Sequence, residues 1–125
     1  QYISCHGRLN DENLDAMFNQ CQIHIMPTTR QEGLPLTILE GMSYGLATIA
    51  SDIGGISGVI THEFDGLLIK PGNVDELTSV LVKIINDKEM RISTGQNARG
   101  TILEKYSKER MVNETLHEII TVVES

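Results

Sequence analysis

The 125 residues predict an α/β fold, a parallel sheet with helices on its faces. Two patterns and the composition predict it. Short apolar runs alternate with stretches in which apolar residues recur at three- and four-residue spacing, the strand–helix order of a parallel sheet. Pro27, Asp65-Gly66 and Pro71-Gly72 punctuate those runs where a strand should begin or end. Apolar residues make up 40% and charged residues 22%, ordinary for one globular domain of this length.

In chain order, residues 2–4 read as a short strand ending at His6-Gly7. Residues 10–20 read as a helix, with Leu14, Met17 and Phe18 on one side. A strand follows over 22–26, stopped by Pro27. His24 within it is unusual for a strand covered on both faces. An irregular loop, 28–34, leads into a short helix over 35–44 with Pro35 at its first position. A third strand over 46–51 ends in a tight loop, Asp52-Ile53-Gly54-Gly55, and a last one spans 67–70. Asn73, with Glu76 three residues on, is a capping-box-like helix start. The helix it opens runs to about Asn86, with Val74, Leu77, Leu81 and Ile84 on one stripe. Asp87 caps a helix to about Glu104, weakened by Gly95 and Gly100. Ser107 caps the last, whose stripe is Val112, Leu116, Ile119 and Val123. These last three helices carry no evident chemistry and read as packing.

The chemistry concentrates in residues 27–45, PTTRQEGLPLTILEGMSYG. Neither Gly33 nor Leu34 offers a side-chain acceptor to cap the helix at Pro35. The first N–H groups, from Leu36 and Thr37 onward, must therefore find water or a ligand. An uncapped, positive helix end reached through a glycine suits an anion. Glu32 and Glu40 bracket it, and carboxylates accept hydrogen bonds from hydroxyls but offer a phosphate nothing. The pair asks for a diphosphate flanked by a ribose and a sugar. In an open α/β sheet ligands lie at the carboxyl ends of the strands. That rule places Gly7-Arg8, 28–34 and Gly54-Gly55 around one crevice.

The formal charge of −7 argues against nucleic acid and against an anionic membrane surface as partners. The sequence has no eighteen-residue apolar run, no signal-peptide pattern, and no Cys or His pair at zinc spacing. Cys5 and Cys21 are too few for a disulfide framework, and the four histidines are scattered. The abrupt opening without Met predicts a chain cut from something longer.

Taken together, HGRLNDENLDAMFNQC, CQIHIMPT, EGLPLTILEGMSYG, LATIASDIGGISGVI, FDGLLIKPGNVDEL and NARGTILEKYS resemble the C-terminal, donor-binding domain of a family 4 glycosyltransferase of the GT-B fold. Each piece is common by itself; six in order cover nearly the whole chain. The resemblance implies a partial Rossmann-like sheet, residues 1–125 forming one domain, and a retaining transferase of hexose-type sugars. It implies no metal and no cofactor, the UDP- or GDP-linked sugar being a substrate. Glu32 then matches the glutamate against the transferred sugar and its anomeric centre. Gly33, Leu34 and Pro35 shape the turn, the N–H groups of Leu36 and Thr37 hold the diphosphate, and Glu40 grips the ribose. Gly7 and Arg8 fall where the family's chain passes the nucleobase.

Further implications concern what lies outside these residues. They are an N-terminal domain for a glycan or lipid-linked acceptor, two earlier strand–helix units, and an Arg and a Lys on the diphosphate. The expected setting is the cytoplasm, including the cytoplasmic face of the membrane. In the family's strand order, 3-2-1-4-5-6, residues 2–4 would be the third strand without its neighbour, and 22–26 an exposed edge. Where the family has G-G-x-P-E, this chain has Gly54-Gly55-Ile56-Ser57-Gly58, which predicts a looser loop. Alternatives are a non-catalytic GT-B-like interaction domain, or another GT-B enzyme such as a sugar-nucleotide epimerase or glycogen phosphorylase.

Overall fold

The structure, a computed structural model, describes residues 2–31 and 33–125. Its order is α1 (Asp11–Gln20), β1 (Ile23–Met26), α2 (Leu36–Ser43), β2 (Ala47–Ser51), a 3-10 helix (Gly54–Gly58), β3 (Leu67–Ile69), α3 (Val74–Asn86), α4 (Lys88–Lys105) and α5 (Lys108–Glu124). The three strands form a parallel sheet in the order β1-β2-β3, with Ile25 opposite Ile49 and Ile49 opposite Leu67. Every residue of β2 is buried, as a central strand covered on both faces requires.

Alternation along β2 separates two cores. Ala50 points to a layer of Ile38, Met42, Ile56, Val59, Ile60 and Ala98, contributed by α2, α4 and the segment around the 3-10 helix. Ala47 and Ile49 face the other side, with Leu67, Ile69 and Ile84. Two glycines let α4 sit close: a Cβ on Gly95 would lie 2.0 Å from the Gly45 carbonyl oxygen, well inside van der Waals contact. Asp65 ties α4 to the turn before β3. Its buried carboxylate accepts from the Thr61 N–H at 2.6 Å and the Thr101 hydroxyl at 2.7 Å.

The caps at Asn10, Asn73, Asp87 and Ser107 form as side-chain acceptors for the third helical N–H. Glu76, however, accepts from the Lys70 N–H at 2.8 Å and so ties α3 to the end of β3. That bond replaces the reciprocal half of a capping box.

Three expectations need correction. Residues 2–4 are not a strand; they lie exposed, with no sheet partner among the described residues. A strand's backbone groups need a ladder partner, and β1, the neighbouring strand in sequence, pairs only with β2. The Gly54–Gly58 loop is not loose: it winds into a 3-10 turn pinned by fully buried Ile56. Burial of one isoleucine does there what a proline would have done. Finally, α5 does not pack. It contains no buried residue, and Val112, Leu116, Ile119 and Val123 are all exposed.

Candidate functional site

The loop after β1 and the loop after β2 meet at the carboxyl end of the sheet. The Gly55 N–H donates to the Gly33 carbonyl at 3.0 Å. A Cβ on Gly55 would stand 2.4 Å from that oxygen, so the approach needs glycine. The turn after β3 comes in beside them, with the Cβ position of Gly72 3.8 Å from the Thr29 methyl.

Above this junction α2 begins. Pro35 is its N-cap instead of its first residue: with φ −66° and ψ 120° it is still extended. Among the described residues no side chain caps the end, and the Pro35 carbonyl accepts from the Ile38 N–H at 3.0 Å. The N–H groups of Leu36 and Thr37 are left without an acceptor among the described residues. Leu36 is exposed and Thr37 partly so, so the pair of donors is open to solvent at the positive end of the helix dipole.

Glu40 lies one turn further on and is exposed. With Asp11, Leu14, Asp15, Phe18 and Tyr44 it lines a hollow of about 200 Å³ between α1 and α2. Phe18 forms the floor, stacked on Tyr44 with ring centroids 5.0 Å apart. The Tyr44 hydroxyl donates to the Asp15 carboxylate. That bond first, and the negative charges of Asp15 and Glu40 after it, raise the hydroxyl's pKa. A carboxylate at the rim of an aromatic-floored hollow can accept from the vicinal hydroxyls of a sugar.

Beneath α2, His24 projects from β1. Its Nε2 lies 3.4 Å from the Thr37 hydroxyl, and Phe18 meets the ring edge-on at 5.9 Å. Gly41 presses against the ring; a Cβ there would be 2.4 Å from Nδ1. Burial lowers the pKa of this imidazole below its ordinary 6.5.

Of the residues expected at the site, the structure brings Gly33, Leu34, Pro35, Leu36 and Thr37 together at the Gly55 junction, with Glu40 on the same helix. Gly7 and Arg8 are exposed, in a segment whose His6 and Leu9 line a hollow beside α1. No described contact joins them to the α2 junction. Glu32 lies outside the described residues. Sequence reasoning missed the His24–Thr37 and Asp15–Tyr44 pairs. A polar residue inside an apolar strand was a signal for the first; nothing marked the second, which spans 29 residues. Among the described residues, no three His, Cys, Asp or Glu side chains group closely enough to hold a metal ion. Nor is any described helix long and apolar enough to cross a membrane.

A three-stranded parallel sheet between helices, with a helix starting over its carboxyl edge, defines a class of Rossmann-like α/β domains. Comparison with known proteins narrows the class. The profile of the glycosyl transferases group 1 family matches residues 2–101, and the chain belongs to that family. A relative from Escherichia coli, UDP-Gal:alpha-D-GlcNAc-diphosphoundecaprenol alpha-1,3-galactosyltransferase, is 38% identical over 76 residues, which are 61% of this chain and 19% of that protein. The crystal structure of the C-terminal domain of a Francisella tularensis group 1 glycosyl transferase superposes with a TM-score of 0.76 at 22% identity, covering 83% of this chain and 53% of that one. Anabaena HepE in complex with UDP superposes at 0.78, also at 22% identity, over 85% of this chain and 29% of that protein. The fold is therefore that of the C-terminal domain of a GT-B glycosyltransferase. The chain spans less than a third of the length of curated relatives it matches.

Proposed function

We propose that residues 1–125 form one domain, the nucleotide-sugar-binding part of a retaining transferase that moves a hexose-type sugar to a glycan or lipid-linked acceptor. The observation that carries this reading is the open N-terminus of α2. Leu36 and Thr37 present two N–H groups without acceptors among the described residues, above a junction that only glycine permits. Anabaena HepE, which shares the fold, holds UDP, and the Escherichia coli relative is named for a UDP-galactose donor.

In this reading the donor diphosphate caps α2, and the helix dipole stabilises the negative charge that grows on the leaving diphosphate as the glycosidic bond breaks. Glu40 accepts from the ribose hydroxyls. Glu32, next to Gly33 in sequence, serves the transferred sugar, and Gly7 and Arg8 serve the base. The reading needs no metal ion, and a further domain holds the acceptor. The setting is the cytoplasm, including the cytoplasmic face of the membrane for a lipid-linked acceptor. A purely structural domain would have no need of the exposed Glu40 carboxylate beside the start of α2, which disfavours that alternative.

Titration of the ¹⁵N-labelled chain with UDP and GDP tests the proposal. Arg30 is the one cation in the 27–45 segment, so the expected binding is no tighter than about 1 mM, or roughly 4 kcal/mol. The shifts should concentrate on the Leu36 and Thr37 amides. Shifts confined to α4 and α5 would remove the assignment.

A further inference from the structure

His24 is a polar side chain on the sheet face under α2, in register with buried Thr48 of β2 and on the same face as the apolar Met26 and Ala50. Its ring is wedged between Gly41 and Phe18. Nδ1 is buried and has no hydrogen-bond partner among the described residues, while Nε2 faces the Thr37 hydroxyl at 3.4 Å. This asymmetry decides the tautomer. A buried N–H without an acceptor is rarer and costlier than an acceptor left idle, so the proton belongs on Nε2. Burial lowers the ring's pKa, which favours the neutral form, and in that form Nδ1 carries only its lone pair.

It follows that Nε2–H donates and the Thr37 oxygen accepts. The hydroxyl's own proton is then uncommitted: no acceptor for it exists among the described residues. Thr37 is also one of the two residues whose peptide N–H is open at the start of α2. Its hydroxyl and its N–H belong to one residue in the first turn, so an anion seated on that turn can take both. We infer that His24 is a positioning residue for the donor diphosphate: by occupying the Thr37 oxygen it turns the hydroxyl proton toward a phosphate oxygen. The inference rests on the donor-binding reading above. It adds a third donor, a side-chain one, to the two peptide groups, and gives the histidine of β1 a use. Without His24 the hydroxyl is free to rotate, and its proton has no preferred direction.

The test uses the ¹⁵N-labelled chain with UDP as probe, together with Thr37→Val, Thr37→Ser, His24→Phe and the double variant His24→Phe/Thr37→Val. The long-range ¹⁵N spectrum of the His24 ring should show the Nε2–H tautomer in the wild type. Losing a hydrogen bond to a charged group should weaken UDP binding about tenfold in Thr37→Val, whereas Thr37→Ser should stay within about twofold because its hydroxyl remains. His24→Phe should lose several-fold, and the double variant should bind no more weakly than Thr37→Val alone, because both changes remove one interaction. An Nδ1–H tautomer, additive losses, or Thr37→Val at wild-type affinity would each overturn the inference while leaving the donor site standing. A wild type whose Leu36 and Thr37 amides ignore UDP would overturn both. Should His24→Phe fail to fold, the ring tautomer and the Val/Ser comparison decide alone.

Discussion

Replacing Gly55 by alanine tests whether the two loops at the sheet's carboxyl edge hold each other in place. The added methyl would sit 2.4 Å from the Gly33 carbonyl oxygen, 2.8 Å from its carbon and 3.1 Å from the Leu34 nitrogen. All three are backbone atoms, so no side chain can swing aside. Relief requires the 33–34 turn to move, which breaks the 3.0 Å bond from the Gly55 N–H to the Gly33 carbonyl. Overpacking of this kind costs about 1–3 kcal/mol, the lost bond roughly 1 kcal/mol, and the stiffer unfolded chain returns about 0.5 kcal/mol. A net loss of about 2 kcal/mol is expected, which moves a urea midpoint by roughly 1 M for a chain of this size. The amide shifts of Leu36 and Thr37 should change in the same variant, because the turn that carries them has moved. Gly58→Ala is the control: its Cβ meets nothing within 4 Å, so neither readout should respond. If Gly55→Ala matches Gly58→Ala in both, the loops do not constrain each other and the junction has no part in shaping the site.

Three other outcomes are expected. In an enzyme that carries this chain together with its acceptor domain, Glu40→Gln should raise the donor KM about tenfold with kcat nearly unchanged. There Glu32→Gln should lower kcat about 100-fold; steady-state kinetics separates the two, and a pure KM effect for Glu32→Gln would mean its role is misassigned. Because burial lowers the His24 pKa below 6.5, the unfolded chain binds this proton more readily than the folded one. Its contribution to stability is complete above about pH 6.5 and falls as the pH drops below it; subtracting the urea stability of His24→Phe across pH 5–8 should isolate that slope, and parallel curves would contradict it. Deleting 108–125 removes a helix with no buried residue, so the urea midpoint should correspond to a change under about 0.5 kcal/mol, whereas a large loss would show that α5 packs in solution.

Local chemistry decided much of this protein before any chain folding. Helix caps at Asn73, Asp87 and Ser107 could be read directly, since a cap is a bond between residues three apart. The strands at β1, β2 and β3 were legible because short, mostly apolar runs are bounded by turn residues such as Pro27, Asp65-Gly66 and Pro71-Gly72. The open end of α2 was legible for the same local reason: Gly33, Leu34 and Pro35 have no acceptor to offer. The apolar stripe of α5 was equally legible, yet it misled. A stripe states what a helix could bury, and only the neighbours of Val112, Leu116 and Ile119 determine whether it does. Residues 2–4 show the same limit in a strand, because pairing is a property of two segments and is absent from either one. What tertiary structure alone supplied is contact between residues far apart in sequence. Gly55 meets Gly33 because two loops end on one edge of the sheet, and Tyr44 reaches Asp15 across two helices. His24 finds Thr37 thirteen residues away because a parallel crossover lays α2 over β1. Spacing along the chain carries no record of such distances, since they depend on how the sheet and its covering helices close around one core.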